Sequence, residues 1–380
     1  MESWATKRIS KSRIFRYKIQ VSSLVSRVSF FGRRILMYKV GVIGLGSIAA
    51  RYSKPEDQYP YCHVGGIRLC ESTELVAVSD LSEERREEFK QVWGPGFPQD
   101  SIRYYKSSAE MLEKESLDIV AVCVRGPYHY EVTMEVIKSG KTKFIFLEKP
   151  MGCSLKEVDE MTKAADAKGI PIIVDYSRHW APHLIRLQEL VKNGLVGQVQ
   201  SVIGYCGGGV LSFAIHNTDM ICQFAGYDPV SVCGYVQGSG GKVQEKYENE
   251  PSIIGATIRF ASGVTAYHVG QHGIMGAFSV DVLGTEGSLR AGFGGGTVLR
   301  NKSGQHIDNN TLGLPENASV FKVSYEQISA YLDGGPLPHC AKNDYMAVNE
   351  IGLGTIESAI TGKTIEIPSK SRDRLIFANG

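Results

Sequence analysis

Two segments carry residues whose types and spacing could support chemistry, and the first is glycine-rich. Gly44, Gly46 and Ala49 form the pattern G-x-G-x-x-A between an apolar strand and a predicted helix, with Ser47 and Ile48 inside it. The first glycine permits a tight turn, the second leaves space for a pyrophosphate, and the alanine allows close packing of helix on strand. The helix amides would face the phosphates. The segment therefore predicts a dinucleotide site, the alternative being a glycine-rich turn of an unrelated α/β fold.

The second segment is Glu148-Lys149-Pro150, which follows a short apolar strand. In an open parallel sheet, ligands bind at the carboxyl ends of the strands, so Lys149 would stand at the mouth of the site. A lysine in such a place is more often a solvated or phosphate-facing charge than a catalytic group. Taken alone, the segment indicates a ligand-facing cation and leaves its chemistry open.

Asp80 ends a second predicted strand, where a carboxylate can accept both ribose hydroxyls of NAD and repel the extra phosphate of NADP. It lies 34 residues beyond Gly46, further than the usual ~20, which predicts an insertion over residues 53–70. The alternative is a strand-end or capping acid, although Ser82 is better placed to cap the next helix. We expect NAD as the cofactor in preference to NADP.

The elements that must position these residues alternate along the first half of the chain. Strands are predicted at 39–44, 75–80, 118–124, 143–147 and 171–174, and helices begin at Ser82, Ser107, His129 and Ser154. Continuously apolar strands separated by helices indicate a parallel sheet covered on both faces. This half is predicted to be a doubly wound Rossmann domain over residues 39–177.

Beyond residue 177 the predicted strands follow one another directly. They lie at about 199–207, 229–237, 252–260, 263–271, 278–284 and 287–292, with two helices at about 322–333 and 342–360. This order predicts an α+β domain over residues 178–380, built on an open, mostly antiparallel sheet that binds substrate and supports oligomerisation. The overall class is therefore α/β with a second α+β domain.

Charge and composition exclude several classes of protein. Of the 380 residues, 43% are hydrophobic and 22% charged, and no apolar run is long enough to span a membrane. Residues 1–38 form a basic extension of charge +8, which leaves −6 for the rest and argues against a nucleic-acid partner. The extension is interpreted either as a mitochondrial presequence or, preferably, as sequence upstream of a true start at Met37 in a cytoplasmic protein. Eight cysteines without a C-x-x-C pair predict buried thiols and no metal site.

The sequence resembles the glucose-fructose oxidoreductase/inositol dehydrogenase/MocA family of NAD(P)-dependent oxidoreductases. The matching segments run in order over residues 39–368 and include 41–50, 75–82, His129 before a helix, Glu148-Lys149-Pro150, 176–182, 195–202, His216-x-x-Asp219 and 284–289. The resemblance implies a small-molecule substrate whose hydroxyl carbon is oxidised, or whose ketone is reduced, over the nicotinamide.

The resemblance also implies roles for individual residues. Lys149 would hydrogen-bond the reacting oxygen and stabilise alkoxide charge, while His216 would take or return the hydroxyl proton. His129 and Glu148 would lie on the cofactor side. Tyr176, Arg178 and Trp180 would line the entrance to the substrate cleft. For His129, Arg178 and Trp180, helix capping and interdomain packing are equally plausible alternatives.

One position departs from the family pattern. The family commonly has an Asp four residues before the His, and this chain has Ser212 there. Ser212, His216 and Asp219 are predicted to share one polar face of a helix. This face would either form part of the site or merely be exposed to solvent. A hydroxyl cannot hold an imidazolium as a carboxylate does, so Asp219, Asp175 or the substrate would have to replace it.

The leading hypothesis is an NAD-dependent oxidoreductase of a sugar, cyclitol or related polyhydroxylated molecule. The alternatives are a dinucleotide-binding sensor or scaffold with weak catalysis, which Ser212 favours, and a reductase of a non-sugar carbonyl such as an aromatic diol or tetrapyrrole. Strands 252–260 and 263–269 carry apolar residues on both faces. We therefore expect a homodimer or homotetramer joined through the open sheet.

Overall fold

The first sheet is parallel and has six strands in the order β3-β2-β1-β4-β5-β6. The computed structural model describes residues 37–238, 241–244, 246–270 and 278–378. The strands are β1 (Tyr38–Ile43), β2 (Thr73–Ser79), β3 (Arg103–Tyr105), β4 (Ile119–Val122), β5 (Phe144–Leu147) and β6 (Ile172–Val174). The neighbouring strands β4 and β5 are buried at every position, because helices cover both faces of the sheet.

Five α-helices belong to this part of the chain. They are α1 (His63–Leu69), α2 (Glu83–Val92), α3 (Ser108–Lys114), α4 (His129–Ser139) and α5 (Leu155–Lys168). The side chains of Ser82, Ser107 and Ser154 accept hydrogen bonds from backbone amides in the first turns of α2, α3 and α5. The predicted starts of these helices are confirmed, and each cap satisfies an amide that has no partner within its helix.

The glycine-rich motif opens a helix, as predicted, but this helix is short and is not a regular α-helix. Ser47–Arg51 form a single π-helical turn, and the chain then leaves the helical path until α1 begins at His63. The predicted insertion over 53–70 is therefore an irregular segment only up to residue 62. Gly66 within α1 serves close packing, because a Cβ there would lie 2.5 Å from the Cβ of Phe321.

The second sheet has nine strands in the order β16-β15-β14-β13-β7-β12-β11-β8-β17. They are β7 (Val199–Tyr205), β8 (Pro229–Gln237), β11 (Ser252–Phe260), β12 (Thr265–Val269), β13 (Ser279–Gly284), β14 (Gly287–Gly292), β15 (Thr297–Asn301), β16 (His306–Ile307) and β17 (Ile365–Glu366). The pairing is antiparallel except between β7 and β12, which are parallel. The prediction of a mostly antiparallel sheet is confirmed, and β15, β16 and β17 were not predicted.

The remaining elements connect the two sheets. A small third sheet contains β9 (Lys242–Val243), β10 (Tyr247–Asn249) and β18 (Ile376–Phe377), and the later helices are α6 (Pro182–Lys192), α7 (Ile215–Ala225), α8 (Val320–Leu332) and α9 (Lys342–Thr361). Short helical turns lie at Gly94–Gly96, Gly126–Tyr128, Ser177–Trp180, Val210–Ala214 and Asn309–Leu312. Within the described ranges, every helix is too short or too polar to cross a membrane.

Late segments of the chain return to the first sheet. Helix α8 packs on α1, and the amide of Ile376 donates to the carbonyl of Cys153. Leu36–Gly380 form one compact unit, so the division at residue 177 stays a prediction. The interpretation of residues 1–38 concerns a segment of which 1–36 lie outside the described residues.

Candidate functional site

A cleft of about 1390 Å³ lies at the carboxyl ends of the parallel strands and reaches α7. This is where an open α/β sheet binds ligands, because its loops diverge at that edge. The cleft brings together ten of the predicted site residues: Gly44, Gly46, Ser47, Ile48, Asp80, Glu148, Lys149, Arg178, Ser212 and His216. These positions come from both halves of the sequence, so the fold assembles one site from them.

The glycines at one end of the cleft keep the backbone accessible. Gly44 has φ +89°, and a Cβ there would lie 2.8 Å from the carbonyl oxygen of Cys123. At Gly46 a Cβ would meet no atom within 4 Å and would instead project into open space. A side chain at either position would disturb the turn or occupy room that a pyrophosphate needs, so these residues fit a dinucleotide.

Asp80 joins this turn to the end of β2. Its carboxylate accepts hydrogen bonds from the amides of Leu45 and Ser82, both at 2.8 Å. The guanidinium of Arg85 approaches it to 3.6 Å and lines the same cleft. Asp80 therefore fixes the glycine-rich turn, and the positive charge of Arg85 lies beside it.

Lys149 lies at the opposite end, directly after β5 and Glu148. Its Nζ donates a hydrogen bond to the carbonyl oxygen of Ser212 at 2.6 Å. Burial lowers the pKa of Lys149, and the carboxylate of Glu148 partly opposes that shift. A buried ammonium held in this way can stabilise negative charge that develops on a neighbouring oxygen.

His216 lies in the first turn of α7 and reaches the same end of the cleft. Burial lowers its pKa well below 6.5, and the positive charges of Arg178 and Lys149 lower it further. Its Nδ1 has no hydrogen-bond partner among the described residues. The imidazole is therefore neutral near neutral pH and can accept a proton, but no carboxylate stabilises the protonated form.

Ser212 contributes its backbone rather than a carboxylate. It lies in the π-helical turn Val210–Ala214 that precedes α7. The amides of Leu211 and Ser212 donate to Oε1 of Glu250 at 2.5 and 2.6 Å. Glu250 thus holds the turn whose carbonyl oxygen accepts the hydrogen bond from Lys149. No sequence pattern linked Glu250 to this site.

A buried acid pair lies beside Lys149. Glu148 and Asp175 are 3% and 1% exposed, and both line the cleft. One oxygen of each and a ring nitrogen of His63 lie within 4.8 Å of one another. Burial raises the pKa of both carboxyls, and each carboxyl also shifts the pKa of the other. Asp175 follows β6 as Lys149 follows β5, so the strand-end rule could have identified it.

Five predicted site residues do not line the cleft. Ala49 is fully buried, as expected for helix packing. The ring nitrogens of His129 lie 2.6 and 2.9 Å from the carbonyl oxygens of Pro150 and Val124, which makes this residue a clamp between two loops. Tyr176 is buried and accepts a hydrogen bond from Asn349. Neither His129 nor Tyr176 therefore faces the cleft.

Trp180 and Asp219 are also withdrawn from the cleft. Trp180 is 1% exposed and packs edge-on against Phe146. Asp219 is fully buried, lies 3.0 Å from Nδ1 of His179 and accepts a hydrogen bond from Tyr227. The predicted polar face of α7 does not exist, because α7 is buried on all sides and Asp219 faces away from the cleft. Asp219 therefore cannot serve as the carboxylate partner of His216.

Residues 38–176 match the model of an oxidoreductase family described as having an NAD-binding Rossmann fold, the Gfo/Idh/MocA family. Myo-inositol 2-dehydrogenase of Thermotoga maritima is 26% identical over 48% of this chain and 53% of that enzyme. The 1,5-anhydro-D-fructose reductase of Ensifer adhaerens is 24% identical over 87% of this chain and 99% of its own length.

The solved structures lead to the same fold. An aldose-aldose oxidoreductase from Caulobacter crescentus superposes with a TM-score of 0.70 at 19% identity, covering 87% of this chain and all of that one. At this level of identity the likeness shows the fold alone. The expected α/β architecture and the resemblance to this NAD-binding family are both confirmed.

Proposed function

We propose that this protein is a member of the Gfo/Idh/MocA family and an NAD-dependent dehydrogenase of a CH–OH group in a sugar, cyclitol or related polyhydroxylated small molecule. The observation that carries the proposal is the meeting of Lys149 and His216 in the cleft that also holds the glycine-rich turn. The relatives named above act on a cyclitol and an anhydrosugar, which supports this substrate class.

The residues around the glycine-rich turn fit NAD. Gly44 and Gly46 leave the backbone open to a pyrophosphate, and Ser47–Arg51 present the amides of a helical turn. Asp80 favours NAD, because its carboxylate would repel a 2′-phosphate. Bound NAD would supply the hydride acceptor, and the chain would supply binding, orientation and proton transfer.

Two side chains would divide the work at the reacting oxygen. Lys149 would stabilise the charge that develops on the oxygen as its proton leaves. His216, held neutral by its surroundings, would accept that proton, and in the reverse direction it would return it. Arg178 lines the cleft, where its guanidinium donates to the hydroxyl of Tyr61 at 2.9 Å. From this position Arg178 would orient substrate hydroxyls.

The open sheet supports a homodimer or homotetramer. Large apolar side chains on four of its strands are exposed: Tyr235, Ile254, Tyr267 and Leu283. A second copy of this chain would cover that face. Sedimentation at micromolar concentration should give a dimer or tetramer, and a stable monomer would contradict this expectation. The buried thiols of Cys62, Cys123 and Cys340 support a reducing, cytoplasmic compartment.

A cofactor-reduction screen tests the proposed reaction. The full-length protein is incubated with NAD and with sugars, sugar acids, nucleotide sugars or inositols, and NADH is followed by absorbance. Lys149→Met is the matched control, because it removes the ammonium while keeping a long side chain. On the best substrate we expect its kcat to fall by ~100-fold or more with NADH affinity unchanged. Equal turnover of both proteins would contradict the proposal.

A further inference from the structure

Below Lys149 lies a group of buried side chains that the proposed reaction does not use. His63, Glu148 and Asp175 contribute one atom each to a cluster whose members are within 4.8 Å of one another. Nδ1 of His63 is 3.0 Å from the hydroxyl of Tyr325, and its Nε2 is 3.0 Å from Oε1 of Glu148. Burial lowers the pKa of His63 to about 4, so the ring is neutral and carries one proton.

The hydrogen bonds around His63 satisfy Glu148 but not Asp175. If Nε2 carries the proton, His63 donates to Glu148 and accepts at Nδ1 from the hydroxyl of Tyr325. The other Glu148 oxygen accepts from the backbone amide of Lys149 at 3.2 Å. Both oxygens of Asp175 lack a hydrogen-bond donor among the described residues, although Asp175 is 1% exposed.

An ionised carboxylate without a donor is very unfavourable at this depth. The charged groups that act on the pair are Lys149 and Arg178, and the carboxyl of Glu250 acts in turn on Lys149. Within the described part of the chain, neither cation forms a hydrogen bond or an ion pair with Asp175, since Lys149 donates to Ser212 and Arg178 to Tyr61 and Ser177. The Glu148 carboxyl is placed to form a hydrogen bond with Asp175, and it can donate one if it is protonated.

We propose that Glu148 and Asp175 share a single proton, so that one carboxyl donates to the other and the pair carries one negative charge behind Lys149. The upward pKa directions of the two carboxyls agree with this arrangement, which is the usual outcome when two carboxyls cannot both ionise. Asp175 is then a positioning residue that acts on the reaction through Glu148 and Lys149.

The shared proton gives Lys149 a charge environment that changes with pH. Near neutrality the pair has one negative charge, which balances one ammonium. When the pair loses its proton at alkaline pH, the second negative charge holds the Lys149 proton more tightly. An Asp175→Asn protein lacks this second ionisation, so its Lys149 should lose its proton at lower pH.

Infrared spectroscopy tests the shared proton without any substrate. At about pH 8, where ordinary carboxyls are ionised, the wild-type protein should show the carbonyl stretch of a protonated carboxylic acid. Asp175→Asn and Glu148→Gln should each abolish this band, because each leaves a single carboxyl. Glu157→Gln is the matched control: Glu157 is also a largely buried acid with a raised pKa, but it lies outside the cleft. A band that survives in Asp175→Asn, or is missing from the wild type, would overturn the proposal.

A metal ion is the competing occupant of the same three side chains. Calorimetric titration of the chelator-treated protein with Zn²⁺ or Mn²⁺ should give no binding that depends on Asp175. Stoichiometric binding in the wild type that is lost in Asp175→Asn would replace the proton by a cation and refute the inference.

The kinetic arm rests on the proposed function. In Asp175→Asn the alkaline limb of kcat/KM should move to lower pH by about one unit, whereas a purely structural role would lower the rate equally at every pH. Asp175→Glu should restore the limb. An unmoved limb would refute the link to Lys149, and the absence of any turnover in the wild type would refute the proposed function while leaving the infrared result intact.

Discussion

Two buried clusters of this molecule contain the same kinds of side chain and differ in how well their members are paired. In the first, Glu148 and Asp175 line the cleft beside the buried His63, and the oxygens of Asp175 lack donors among the described residues. In the second, Asp219 accepts a hydrogen bond from the hydroxyl of Tyr227 and lies beside His179, away from the cleft. The comparison teaches that a buried acid next to a histidine can serve either packing or chemistry, depending on which of its hydrogen bonds are complete.

The contrast predicts that substitutions around the cleft change turnover. Substitutions in the cluster of His179, Asp219 and Tyr227, called the sealed cluster below, should instead change stability. The largest effect is expected for His216→Ala, which removes the proposed proton acceptor at the cleft. Its kcat should fall by roughly 10²- to 10⁴-fold, with an unchanged midpoint of urea unfolding. Steady-state kinetics and equilibrium unfolding on the same preparations test this prediction, and near-native turnover would reject the role of His216.

Asp219→Ala should have the opposite signature. It leaves His179 and Tyr227 buried without their acceptor, and breaking a buried pair costs about 3–5 kcal/mol of unfolding free energy. The kcat of the protein that remains folded should be unchanged, since Asp219 does not line the cleft. Urea unfolding followed by fluorescence measures the first quantity. A stable variant with lost activity would show that the sealed cluster participates in the reaction.

At the cofactor end, Asp80→Ala should reduce the affinity for NADH by about tenfold, the effect of losing one to two kcal/mol of hydrogen bonding to an ionised group. The affinity for NADPH should then rise relative to the affinity for NADH, because Arg85, which lies 3.6 Å from the Asp80 carboxylate, is left unpaired. Fluorescence quenching gives both dissociation constants, and Arg85→Ala serves as the control. Tighter NADPH binding in the wild type would contradict the preference for NAD.

The smallest expected effect concerns pH. The proposed oxidation needs unprotonated His216, and because its pKa lies well below 6.5, the rate should hold as pH falls through 6.5 and decline only at lower pH. Ser212→Asp supplies a carboxylate that favours imidazolium and raises the pKa, so this acid limb should move to higher pH by about one unit. The matched control is Ser212→Asn, which adds the same volume without charge and should leave the limb in place.

Much of the site was predictable because parallel strands place their carboxyl ends at one edge. Lys149 and Asp80 were recognised in this way, and the same rule applied to Asp175 would have brought it into the cleft. The three serine helix caps were predictable because capping depends on residues only three apart. By contrast, the pattern G-x-G-x-x-A predicted a helix after Gly46 but not that this helix would be a single π-helical turn ending at Arg51.

The sequence by itself determined the alternation of elements, the glycine-rich turn and the resemblance to a family of NAD-binding oxidoreductases, since these depend on local patterns and ordered motifs. Only the tertiary structure decided that Asp219 turns away from the cleft while Ser212 offers its carbonyl to Lys149. A helical spacing fixes which residues share a face in an isolated helix, but α7 is surrounded by protein on all sides. Under those conditions the pairing of Asp219 depends on His179, which comes from a distant part of the chain.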